Sequence, residues 1–219
     1  MVEHEYYYTG SYGIFEKEFA YILTTISKWQ DQRVENFELL LDMKNAYVAL
    51  PYTFWKNHKK IEWEMLGEGK SVEVEEGEKQ KRVYLRMKNG VIRYRAKNFS
   101  PDKEFYAVVI TDSRGTVGRV SNPKNSKYIL HDKLTELLLR MQMEDREFYR
   151  EDLEKLTENE LEILRNYPYA FAGYDFSRKD LKAYFSQFVW YLPLGTKVPI
   201  KKEEEVISVV DDILKKRRE

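Results

Sequence analysis

Tyr128-Ile-Leu-His-Asp-Lys-Leu-Thr-Glu-Leu-Leu-Leu-Arg-Met-Gln-Met143 marks a change of period in this chain. Leu130, Leu134, Leu137, Leu138 and Met141 recur at three- and four-residue steps, which places them on one face of an amphipathic helix. Before this stretch apolar residues alternate at steps of two; after it they keep the helical step. The fold class expected is therefore α+β. A β-rich N-terminal antiparallel sheet or small barrel, residues 1–143, closes with this helix. The charge-rich run at 144–154 reads as a linker, and 155–219 as a small all-helical C-terminal domain.

In the N-terminal part, Arg82–Lys88 and Val91–Arg95 flank Asn89-Gly90. Val83, Leu85 and Met87 alternate with polar neighbours, and Asn-Gly accepts the positive φ angles of a two-residue turn, so the pair reads as a β-hairpin. Glu104–Thr111 is a continuous apolar run of strand length. Val34–Met43, Ala46–Trp55, Lys60–Met65 and Ser71–Glu75 are further strand candidates. Phe15–Ile26 fits a strand or a short helix. Short strands separated by turn signals favour antiparallel pairing.

In the C-terminal part, Thr157-Glu-Asn-Glu160 has the spacing of a capping box. Leu161 and Leu164 open an apolar face. Ser177-Arg-Lys-Asp180 looks like a second helix start, with Leu181, Tyr184, Phe185 and Phe188 following at helical steps. After Pro199, Val206, Val209, Val210, Ile213 and Leu214 form a third stripe, ended by Lys215-Lys-Arg-Arg218, where cations suit a helix C-terminus. Gly173 reads as a left-handed helix cap, and Pro168 is expected to kink or shorten the helix before it.

The run Tyr169-Ala-Phe-Ala-Gly-Tyr-Asp-Phe176 resembles the name-giving motif of the YARHG domain, Tyr-Ala-Arg-His-Gly-Tyr-x-Phe. Tyr169, Ala170, Gly173, Tyr174 and Phe176 are kept; Phe171 and Ala172 stand in place of the Arg and His. Leu161, Leu164, Arg165-Asn166, Leu181, Tyr184-Phe185 and Trp190-Tyr191 extend the resemblance over residues 155–219. It implies a bacterial module working outside the cytoplasm, hence a periplasmic or extracellular address. It implies no reaction. Without the motif's Arg and His, this copy has neither a guanidinium fork nor an imidazole there to do chemistry. Core packing accounts best for the motif's aromatics. Tyr169, Tyr174, Trp190 and Tyr191 are the residues expected to touch a ligand if the module stacks on a glycan or peptide.

Composition bounds the rest. The 37 basic and 37 acidic residues cancel and are mixed along the chain, which disfavours nucleic acid as partner. The sequence has 0 Cys, so disulfides, thiolate zinc sites and thiol catalysis are excluded. No apolar run reaches the ~20 residues that span a bilayer. The start, Met1-Val-Glu-His-Glu-Tyr, is acidic where a signal peptide is basic and then apolar.

Chemical motifs give little. Gly67-Glu-Gly69-Lys70-Ser71 imitates a phosphate loop, but Glu64 stands where the pattern needs glycine and a strand-like alternation follows. It reads as a turn. His4, His58 and His131 lack the spacing of zinc ligands. Tyr6-Tyr-Tyr8 must place side chains on both faces of any strand, so at least one faces away from the core, and Trp29, Trp55 and Trp63 are further candidates for an exposed aromatic face. No cofactor and no metal site is expected. The expected function is non-catalytic: binding or interaction in the cell envelope, towards a cell-wall glycan or another envelope protein. Two other classes compete. A hydrolase with its site in the β-rich half requires buried acids, or His58 or His131 held by a carboxylate. An oligomerisation scaffold requires the Val206–Leu214 stripe to be uncovered.

Overall fold

The computed structural model describes residues 11–76, 80–143, 146–199 and 204–219. Its strands are β1 (Ser11–Tyr12), β2 (Glu16–Tyr21), β3 (Val34–Leu41), β4 (Tyr47–Pro51), β5 (Glu64–Leu66), β6 (Gly69–Glu76), β7 (Gln80–Met87), β8 (Val91–Phe99) and β9 (Phe105–Ile110). The helices are α1 (Lys133–Met143), α2 (Arg146–Glu154), α3 (Glu158–Ala172), α4 (Lys179–Ser186) and α5 (Glu204–Arg218). The α+β arrangement is as expected. Phe15–Ile26 supplies both readings, strand β2 and then a 3-10 turn at Thr24–Lys28.

The strands form a 6-stranded antiparallel sheet, β1-β2-β9-β4-β7-β6, and a 3-stranded one, β3-β8-β5. They pack face to face over Val48, Leu50, Val83, Leu85, Met87, Ile92, Phe99, Phe105 and Ala107. The opposite face of the larger sheet carries Tyr47, Ala49, Val72, Val74, Tyr84, Val108 and Ile110 into one core with the helices. The molecule is thus three layers, with the 6-stranded sheet in the middle. This explains why Tyr47–Leu50 is buried residue after residue. A strand covered on both faces has no polar side to alternate with.

The Asn89-Gly90 hairpin is corrected. β7 and β8 do not pair with each other: β7 lies between β4 and β6, and β8 between β3 and β5. Registers run from Glu64↔Arg93 to Leu66↔Val91 in one sheet and from Gly69↔Met87 to Glu76↔Gln80 in the other. The strands β5–β6 and β7–β8 are therefore the two arms of one long hairpin that leaves one sheet and enters the next. Gly67-Glu68 opposes Lys88-Asn89-Gly90 at the crossing, a bulge with one extra residue, and a bulge bends a strand pair. The Lys88 amide donates to the Glu68 carbonyl at 2.7 Å and the Glu68 amide to Asn89 Oδ1 at 3.1 Å. Gly90 does use a positive φ, +86°, but for this bend.

Two further corrections concern the helices. Residues 146–154, read from their charge as linker, form α2, whose Leu153 is fully buried in the shared core. Among the described side chains of α2, Leu153 is the buried anchor that a charge-rich composition hides. Pro168 sits inside α3 without ending it. Leu164, Tyr167 and Ala170 are buried on both sides of it, and that packing outweighs the lost amide bond. The other expectations for α3 hold. Thr157 and Glu160 form a reciprocal capping box, and Gly173 caps the far end at φ +89°, ψ +28°.

Candidate functional site

The motif run is a helix stop folded into a core. From the Gly173 cap the chain turns back on residues 192–195: the Leu194 amide donates to the Gly173 carbonyl at 2.8 Å, and the Asp175 amide to the Gly195 carbonyl at 2.9 Å. Trp190 and Tyr191 are fully buried. The Trp190 indole stacks on Phe188 at 4.6 Å and donates from Nε1 to the Leu130 carbonyl at 2.9 Å. Tyr191 donates to the Tyr174 carbonyl at 3.1 Å, and burial pushes its phenol up to about 12. A ligand cannot stack on rings at this depth. Tyr169 and Tyr174 are half-buried and meet edge to face at 6.1 Å. Of the four residues expected at a ligand site, only these two reach the surface.

Behind the motif lies a polar cluster that sequence reading missed. Asp132 caps α1, accepting at Oδ1 from the amides of Leu134 and Thr135 at 3.1 and 3.0 Å. The same oxygen accepts from the Thr135 hydroxyl at 3.0 Å and from Tyr167 at 2.8 Å, while Oδ2 accepts from Tyr184. Burial, with this carboxylate alongside, pushes both phenols above their ordinary range. Phenols held as donors to a carboxylate are neither bases nor nucleophiles. The cluster ties α1, α3 and α4 together. The aspartate at a helix start was its only sequence signal, because the tyrosines come from distant helices.

At the seam between sheet and helices, two cations from neighbouring strands meet main-chain oxygens. Arg86, 6% exposed, donates to the carbonyls of Asn45 (2.8 Å), Phe171 (2.7 Å) and Trp190 (2.6 Å) and lies 5.5 Å from the Phe171 ring. Lys70 donates to the carbonyls of Ser186 and Phe188 at 3.0 and 3.1 Å. The loop that imitated a phosphate cradle thus belongs to the hairpin bend and directs its lysine into this seam.

The remaining candidates are structural or exposed. His131 is buried, donates from Nε2 to the Val120 carbonyl at 2.7 Å, and keeps Nδ1 shielded 3.7 Å from Glu136. His58 is exposed in a turn, with φ +60°. Trp55 and Trp63 surround Phe54 in the sandwich core at 6.1 and 6.0 Å, whereas Trp29 is exposed. His4 and Tyr6-Tyr-Tyr8 lie outside the described residues. Among the described residues no carboxylate is buried, and no cluster of three or more His, Cys, Asp or Glu could hold a metal. None of their helices is long and apolar enough to cross a membrane.

Sandwich, helical layer and carbonyl-bound cations define an architecture in which polar chemistry is spent on joining parts. Residues 135–213 match the family model of the YARHG domain, so the C-terminal part of this chain carries a YARHG domain. The match begins inside α1 and ends inside α5, and so extends N-terminally beyond the span at 155–219 that the motif suggested. No curated protein and no solved structure matches the chain.

Proposed function

We propose that this chain is a non-catalytic binding protein of the bacterial cell envelope, acting on another envelope protein. The YARHG match supports the periplasmic or extracellular address. The observation that carries the binding role is the exposure of Tyr12 (69%), Ile14 (83%), Ile22 (65%) and Trp29 (49%) within one stretch at the start of the described chain. Large apolar side chains left in water so close together in sequence favour a contact surface. Ile14 and Ile22 favour a protein over a glycan as the ligand. An isoleucine offers a sugar neither a ring face nor a hydrogen bond, but it fits a protein surface well. The enzyme reading loses support because Arg86 is bound to main-chain carbonyls and the Tyr167 and Tyr184 phenols to Asp132, which leaves these groups engaged within the fold. The scaffold reading loses support because Val210, Ile213 and Leu214 of α5 are covered within the monomer.

The test is site-specific photo-crosslinking in intact cells of the source bacterium, with the probe at Ile14 and, as control, at exposed Lys97. A discrete adduct from position 14, in the envelope fraction and absent from position 97, is the expected result. Equal patterns from both positions, or adducts confined to the cytosolic fraction, overturn the proposal.

A further inference from the structure

Lys70 and Arg86 are direct cross-strand partners in the β6–β7 ladder, and both side chains leave the middle sheet towards the helices. Two of their five carbonyl acceptors lie at helix ends. Ser186 is the last residue of α4, and Phe171 is next to last in α3. Carbonyls there lack helical partners and carry the negative end of the helix dipole, which a cation satisfies. Among the described residues no carboxylate pairs with either cation. Lys70 instead faces Arg86 on the next strand, Lys127 beyond the seam, and the rings of Tyr128 and Tyr191 at 4.9 and 5.7 Å.

We propose that Lys70 and Arg86 form a latch that welds the YARHG domain to the β-sandwich, so that the two open as one unit, and that the Lys70 half of the latch responds to pH. Arg86 is the permanent part. Burial lowers its pKa only to about 10, so the guanidinium stays protonated at neutral pH. Lys70 is the adjustable part. Desolvation, then the nearby Lys127, brings its ammonium down to about 8. The seam holds two carbonyls for Lys70 and no anion. A neutral amine still has two N–H groups for those two carbonyls, and it sheds a charge that nothing nearby neutralises. An amine whose folded pKa is depressed favours folding above its unfolded value near 10.5, and that gain is lost as pH falls through about 8. The seam therefore tightens as pH rises from about 8 to 10.5.

Two measurements on the full chain test this. The first is native-state hydrogen exchange of the wild type near neutral pH, comparing Ala49 in β4 with Leu164 in α3. Opening constants that agree to within about threefold support the weld; α3 exchanging through a separate, easier opening overturns it. The second compares Tm against pH for the wild type and Lys70→Met. The wild-type Tm, taken relative to the variant, should rise between pH 8 and 10. Parallel profiles overturn the pH response. If Lys70→Met does not fold, an NMR titration of the Lys70 side chain in the wild type replaces it: a midpoint near the free-lysine value overturns the response.

Discussion

Gly173 ends α3 with φ at +89°, and a Cβ built there would lie 2.7 Å from Leu194 side-chain atoms and 2.9 Å from the Leu192 carbonyl. An L-residue in the left-handed region costs about 1–2 kcal/mol before any clash. Gly173→Ala should therefore lose about 2–3 kcal/mol of unfolding free energy in a urea titration. A loss below about 0.5 kcal/mol would mean that the cap relaxes freely. Arg86 acts through its acceptors rather than through its own backbone. Its replacement by Met keeps most of the apolar stem but leaves three carbonyls without their donor. Unsatisfied buried acceptors cost about 1–3 kcal/mol each, partly offset by the desolvated charge that leaves with the guanidinium. A net loss of about 2–4 kcal/mol in the same titration is expected. The cap could be read from sequence because it depends on its own helix. Arg86 could not, since its three acceptors lie 41, 85 and 104 residues away.

At the scale of the element, the capping box and the bent hairpin show how far local reading reaches. Glu160 accepts from the Thr157 amide and hydroxyl, both at 2.9 Å, and pairs with Lys133; those contacts, Lys133 first, hold its carboxyl down at about 2. A depressed carboxylate stabilises the fold above its unfolded value near 4.5, and that contribution is lost as pH falls towards 2. Glu160→Gln should therefore be less stable than wild type at pH 6, with the gap closing between about 4.5 and 2 in denaturation series at stepped pH. A constant gap would assign the contribution to the amide bonds alone. The spacing of Thr157 and Glu160 carries all of this within one turn. Asn89-Gly90 carries a turn signal just as strong, yet which strand pairs with which depends on Leu66 and Gly69 across the ladder. A Cβ on Gly90 would lie 1.8 Å from the Leu66 carbonyl. In a free hairpin turn, Gly90→Ala would cost about 1 kcal/mol. Pressed against the opposing arm it should cost about 3 kcal/mol or more, which an equilibrium urea titration separates from the smaller value.

At the scale of the molecule, the middle sheet is the wall on which both cores rest, and its strands carry the two cores on alternate residues. Val48 points into the sandwich and Ile110 into the helical layer. The apolar run in β9 was legible as a strand; that helices cover its second face was not, because sequence period shows that a side is buried without showing by what. Of the exposed residues at 12–29, Trp29 was legible as an aromatic that could face away from the core, but Ile14 and Ile22 were not, since they have the letters of core residues and only the fold leaves them outside. Three layers sharing one wall make a specific demand on truncations in either core. Val48→Ala should cost about 2 kcal/mol and Ile110→Ala about 3 kcal/mol, the latter through lost transfer energy and the cavity it leaves in the core shared with the helices. Each cavity should also be felt on the far side of the sheet. With Ile110→Ala, amides of β3 in the sandwich should lose hydrogen-exchange protection as those of α3 do, and with Val48→Ala amides of α3 should follow those of β3. If each truncation were felt only in its own layer, the wall would be a hinge between two independent bodies, and the exposed stretch at 12–29 would move separately from the YARHG domain instead of being held in register with it.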